Sequence, residues 1–236
     1  MTQKLNSMLK IRCSSLGRVM TNDRSGKNMG DTAKSCIEEL FIQKKFGRYK
    51  SVRTDEMTKG LECEENSIDL LSEFTKSFFI KNETQLENAF ITGTPDLILN
   101  DEVWDIKTLW DIFTFHKNEP PINKANNLTH YGWQLMGYMW LTGAKKAHLA
   151  YCLVNTPRHL VESELSRLRY KLNTIDEDTN EAYLIESSKI ELLHSYDDLE
   201  LSDRVRIFSI DRDEEKINAI KHRVQECREY YNSIKW

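Results

Sequence analysis

Six polar residues interrupt otherwise apolar patterns in this chain: Glu64, Asp96, Asp105, Lys107, Gln134 and Tyr138. Three are carboxylates on separate segments, and Lys107 stands two positions after the last of them. Asp and Lys are depleted from strands and are rarely buried without a partner. Three carboxylates drawn together would hold a hard divalent cation such as Mg2+, which takes oxygen donors in octahedral geometry and keeps some waters. A backbone carbonyl, most simply that of Ile106, would add a donor. Lys107 beside the cation would position or deprotonate a water and steady the charge that develops on phosphate. Such a set is built for metal-assisted hydrolysis of a phosphodiester.

The elements that must position these residues follow from the hydrophobic pattern. "FITGTPDLIL", a turn at "NDE" and "VWDIKTLW" read as a hairpin. Strand side chains alternate, so Val103, Asp105 and Lys107 share one face and Trp104 and Ile106 the other. Residues 61–79 read as one helix whose stripe runs Leu61, Glu64, Ile68, Leu71, Thr75 and Phe78. "LTHYGWQLMGYMWLTG" reads as an apolar helix closed by Gly143, with Gln134 and Tyr138 on one face. A helix over 32–46 stopped by Gly47, a strand at "KAHLAYCLV", a basic helix over 159–173, a strand at "RVRIFSI" and a charged helix over 213–234 complete the pattern. "PPINKANN" reads as a loop, and residues 174–203 are too polar to assign. Strands mixed with helices indicate an α/β fold with a central mixed β-sheet flanked by helices. The chain reads as a single domain over 1–236, with an insertion around 156–203.

Bulk properties narrow the class. Apolar residues make up 39% and charged residues 30% of 236, a globular composition. No run reaches the roughly 18 apolar residues of a membrane span. The first residues carry no secretory pattern, and five scattered cysteines form no CxxC pair, so a cytoplasmic protein without a zinc or iron–sulfur site is expected. A net charge of -4 argues mildly against a polyanionic partner. It does not decide the matter, because carboxylates that hold cations count as negative here.

The order of the motifs resembles the PD-(D/E)XK nuclease superfamily, most closely the phage lambda exonuclease and YqaJ-type recombination nucleases. The stretches that carry the likeness are "KGLECEENSIDLL", "GTPDLIL", "WDIKT" and "HYGWQLMGYMWLTGAKKAHLAYCLV". The resemblance implies a restriction-endonuclease-like core, with Glu64, Asp96, Asp105 and the Ile106 carbonyl as metal ligands and Lys107 as the catalytic lysine. It makes Gln134 the residue that holds the scissile phosphate or its water, and Tyr138 a support for that helix. Thr94, with Arg12 and Ser14 or Ser15, would bind a terminal 5′-phosphate. The family's pocket also takes an arginine shortly after the catalytic lysine, and "TLWDIFTFHK" offers none.

The activity so implied is a Mg2+-dependent exonuclease, with Mn2+ able to substitute, that digests double-stranded DNA ends 5′ to 3′ and leaves 3′ tails for recombination. A homotrimer and a single-strand annealing protein as partner are implied in the same way. A structure- or sequence-specific endonuclease of the same fold is one competing reading. An inactive DNA-binding or assembly module is the other, and the intact Glu64, Asp96, Asp105 and Lys107 set argues against it.

Overall fold

The computed structural model describes residues 8–117, 121–124 and 127–235. In chain order, β1 (Ile11–Arg12) leads through one 3-10 turn to α1 (Leu16–Val19), then α2 (Asp31–Phe46), α3 (Asp55–Glu62) and α4 (Glu64–Thr75). Four strands follow: β2 (Leu86–Glu87), β3 (Ile91–Gly93), β4 (Leu97–Leu99) and β5 (Glu102–Thr108). After α5 (Ile112–Phe115) come β6 (Asn123–Lys124) and β7 (Asn127–Leu128), then α6 (His130–Thr142) and β8 (Lys146–Cys152). The chain continues through α7 (Arg158–Leu172), α8 (Glu181–Leu193) and α9 (Leu201–Arg204) to β9 (Val205–Asp211) and α10 (Glu214–Ser233). Part of the expected "PPINKANN" loop, at 120, 125 and 126, lies outside the described residues.

The central sheet has the order β4-β5-β8-β9, with β5 and β8 parallel and both outer pairs antiparallel. Alternation along the strands divides the core in two. Val103, Ala147 and Leu149 face α6 and α10, whereas Trp104, Ile106, Ala150 and Cys152 face α4. The mixed sheet between helical layers is the expected fold class.

Three local expectations change. The helix expected over 61–79 is two helices with a break at Cys63, whose φ and ψ of -102° and 13° leave the helical basin. Ile68 and Leu71 are buried as the stripe requires, but Leu61 and Phe78 lie exposed, Leu61 before the break and Phe78 beyond the end of α4, which stops at Lys76 in the left-handed region. The hairpin is shorter than expected: only Leu97–Leu99 pairs with β5, across Asn100 and Asp101, both at positive φ. Ile91–Gly93 belongs instead to a second sheet of order β1-β3-β2. Residues 174–203, unassigned from sequence, hold α8 and α9, and α8 packs against α7.

The last helix braces the first residues. Arg228 Nε donates to Leu9 O at 3.0 Å, Arg223 Nη1 to Thr21 O at 3.1 Å, and Cys227 Sγ rests 3.7 Å from Met29 Sδ. These contacts hold β1 and α1 against α6, where part of the site lies.

Candidate active site

Asp105 and Lys107 come from β5 and point to the α6 face. Asp105 is 1% exposed. Its Oδ1 accepts a hydrogen bond from Gln134 Nε2 at 2.9 Å, and Lys107 Nζ stands 2.7 Å from Oδ2. Lys107 is thus the cationic donor that faces this buried oxygen. Asp96 stands just before β4, and its Oδ2 accepts the Ile106 N–H at 2.6 Å. This bond anchors one carboxylate to the peptide that joins the other to Lys107.

The electrostatics confirm that the two acids crowd each other. Burial first, and then the Asp105 carboxylate, push Asp96 up to about 7, against the opposing pull of Lys107 and the Ile106 N–H. Burial alone would lower Lys107, but the Asp105 and Asp96 carboxylates outweigh it and hold the ammonium well above its usual range. Lys107 is therefore charged at neutral pH, a charge stabiliser and donor. Deprotonating a water, one of the two roles expected of it, requires the neutral amine and does not suit this environment.

Glu64, the first residue of α4, is close enough to raise Asp96 but is turned elsewhere. Its Oε2 pairs with Lys81 Nζ at 2.7 Å, partly exposed on both sides. Among the described residues no group of three or more His, Cys, Asp and Glu side chains is arranged to hold a metal ion. The expected gathering of three carboxylates is thus a gathering of two. Two still suit a hard dication, since magnesium commonly takes one or two carboxylates together with water and substrate phosphate. The buried Asp105 carboxylate and the repulsion felt by Asp96 are what such an ion would relieve.

Gln134 departs from its expected role. It is 5% exposed, and its amide nitrogen donates both to Asp105 Oδ1 and to Tyr138 Oη, each at 2.9 Å. Both N–H groups are spent on the protein, so Gln134 positions Asp105 and has none left for phosphate. Tyr138 Oη accepts that bond and keeps its own proton.

Tyr138 lines a cleft of about 500 Å³ with Arg12, Ser14, Thr94, Gln85 and Thr92. Arg12, Ser14 and Thr94 are exposed there. Ser15 does not line it; it precedes α1 instead. The cleft exists because two glycines let three segments meet. A Cβ on Gly93 would fall 2.8 Å from both Cys13 Sγ and the Tyr138 ring, and one on Gly137 2.9 Å from the same sulfur.

No protein-family profile and no curated protein matches this chain. Solved structures do. A phage-related exonuclease from Haemophilus somnus 129PT is 26% identical, with a TM-score of 0.72 over 95% of this chain and 94% of that one. An alkaline exonuclease, LHK-Exo, from Laribacter hongkongensis has a TM-score of 0.61 at 16% identity, over 96% and 90%. The same enzyme in complex with dAMP has a TM-score of 0.60 at 17% identity, over 95% and 88%. The chain is similar to phage-related exonucleases of the restriction-endonuclease-like fold, in keeping with the resemblance read from its motifs.

Within this PD-(D/E)XK fold, sequence reasoning missed three kinds of residue. Lys81 holds Glu64, yet no pattern links them, since Lys81 lies in an irregular stretch that the Lys81–Leu97 bridge and the Asn82 N–H bond to Asp96 O bring near. Gln85 and Thr92 join the cleft through the small second sheet, whose strands are too short to read. Tyr151 lies opposite Lys107 in the β5–β8 register, a pairing that alternation along "KAHLAYC" alone does not specify. Among the described residues no helix is long and apolar enough to cross a membrane.

Proposed function

We propose that the protein is a magnesium-dependent deoxyribonuclease that resects linear double-stranded DNA 5′ to 3′, leaving 3′ single strands for recombination. Manganese would serve in place of magnesium. The same reading includes a homotrimer and a single-strand annealing partner. What supports it is one cluster in an exonuclease fold: Asp96 and Asp105 crowded together, with a charged Lys107 at 2.7 Å from Asp105 Oδ2.

Asp96 and Asp105 would hold the cation, with the Ile106 carbonyl beside them. When bound, the ion supplies Lewis acidity toward phosphate and an acidified water. Glu64 would join by leaving Lys81, an exposed pair worth well under about 1 kcal/mol. Gln134 keeps Asp105 from rotating. Lys107 places its ammonium against the oxygen that gains charge as the P–O bond breaks. Arg12, Ser14 and Thr94 would receive a terminal phosphate in their cleft, with the Tyr138 proton turned toward it.

The test compares linear duplexes with and without a 5′-phosphate, in magnesium, for the wild type and Lys107→Ala. Faster digestion of the phosphorylated duplex and near-complete loss of cleavage in the variant, with DNA binding retained, are expected. Equal digestion of closed circles would favour an endonuclease. Absence of magnesium-stimulated hydrolysis by the pure wild type would overturn the reading.

A further inference from the structure

Beyond the cluster, the sheet carries a feature that the reaction described so far leaves unused. Lys107, Tyr151 and Arg206 are register partners on three successive strands, so their side chains form one row on the α6 face. Adjacent strands lie about 4.8 Å apart, which puts the two cationic positions roughly 10 Å from each other with a ring between them. Tyr131, the second residue of α6, closes over the same place, its ring centroid 5.5 Å from Lys107 Nζ. All four residues are partly exposed.

Two properties of the row are unusual for plain packing. The first is Arg206. No carboxylate pairs with it among the described residues, although the chain holds more acids than bases. It lies over the rings of Phe208 and Phe115 at 5.1 and 5.9 Å, and spends one donor on Phe115 O at 2.8 Å. A guanidinium has five N–H donors, so most are uncommitted. The second is the tyrosine pair. Neither the Tyr131 nor the Tyr151 hydroxyl makes a hydrogen bond among the described residues, although half-buried hydroxyls usually find a partner. Tyr151 is near enough to Tyr131, Lys107, Arg206 and Asp105 for each to act on it.

Unpaired guanidinium donors, two free hydroxyls and partly exposed rings share one kind of complement: a phosphodiester with a base beside it. Phosphate takes charge-assisted bonds from arginine and hydroxyl donors, and bases stack on aromatic side chains. A carboxylate peptide would use the cation but leave the rings idle. We propose that Tyr131, Tyr151 and Arg206 form a strand-guiding subsite that binds the phosphate neighbouring the scissile one. The proposal rests on the nuclease reading above, since it takes Lys107 as the reacting end of the row. The subsite keeps the strand in line as the enzyme advances by one nucleotide.

The experiment measures binding of a 5′-phosphorylated linear duplex in EDTA, where nothing is cut, across a salt series. It uses wild type, Arg206→Gln, Tyr151→Phe, Tyr131→Phe and, as a surface control, Lys189→Gln. Each phosphate contact contributes about 0.9 to the slope of log K against log salt. Arg206→Gln is expected to weaken binding about tenfold and flatten the slope by about 1. The two phenylalanine variants keep the rings, so each should weaken binding several-fold with the slope unchanged. Lys189→Gln should change neither, because that lysine sits on α8 paired with Glu186. Wild-type affinity and slope in Arg206→Gln, with its melting temperature intact, would overturn the subsite while leaving the nuclease reading standing. A wild type that neither binds nor cuts DNA would remove the nuclease reading, and the subsite with it.

Discussion

Two lysines in this protein are held in opposite ways. Lys107 lies half-buried on β5 against Asp105, with Asp96 nearby, and those carboxylates keep it charged. Lys59, on α3, is fully buried, and no carboxylate pairs with it among the described residues. Its Nζ donates to Trp110 O at 2.9 Å and lies over the Tyr196 and Trp110 rings at 5.3 and 5.9 Å. Burial lowers it to about 8, against the weaker upward pull of Cys63 and Asp111. One ammonium is thus made permanent by its neighbours and the other is made labile. Proximity of anions, together with depth, sets which lysine keeps its proton through the neutral range.

The comparison can be broken at either end. The largest effect belongs to Lys107: in single-turnover assays Lys107→Ala should slow cleavage by at least about 100-fold, the usual loss for a charge-stabilising donor. A variant within a few-fold of wild type would show that the permanent charge is idle. Lys59→Met comes next and has the opposite sense, since an apolar chain of similar length replaces a buried charge. It should stabilise the fold in urea by about 1–2 kcal/mol at pH 7, after loss of the bond to Trp110 O. The sign with pH follows from the lowered pKa. Between about 8 and 10.5 the unfolded chain binds the proton that the folded one has shed, so wild-type stability rises with pH there. The variant's advantage should shrink across that window, and an advantage that persists at pH 10.5 would contradict the labile proton.

Asp96 supplies the anionic counterpart. Its pKa is raised from 3.8 to about 7, so the folded state binds the extra proton and its stability falls as pH rises through that window. In metal-free protein, Asp96→Asn should be more stable than wild type by about 1–2 kcal/mol at pH 8 and indistinguishable near pH 4. Equal stability at pH 8 would mean that the two carboxylates do not crowd each other. The smallest change is expected at the exposed pair: Lys81→Met should alter stability by less than about 1 kcal/mol, checked by thermal melting.

What could be read from the sequence was whatever alternation and helical period carry. Asp105 and Lys107 were placed on one face by strand alternation, and β5 puts them there. Gln134 and Tyr138 were placed on one helix face four residues apart, and a single amide nitrogen joins them. Glu64 was placed within a continuous stripe, but the break at Cys63 begins a new helix at that residue. No periodic signal marks such a break, because Cys63 carries neither a proline nor a glycine to announce it. The expected convergence of Arg12, Ser14 and Thr94 on one cleft came from family resemblance, and the structure brings all three there. Lys59 illustrates the remaining gap. Its burial depends on Trp110 and Tyr196, which lie 51 and 137 positions away, and only the assembled fold relates them.

The bracing of β1 and α1 by α10 has a consequence for how the protein comes into being on the ribosome. Arg12 and Ser14 are made long before α10, yet the segment that carries them is tied at Leu9 and Thr21 to arginines more than two hundred positions later. One wall of the cleft therefore waits for α10 to emerge. The cleft should stay incomplete on a nascent chain until α10 has left the ribosome.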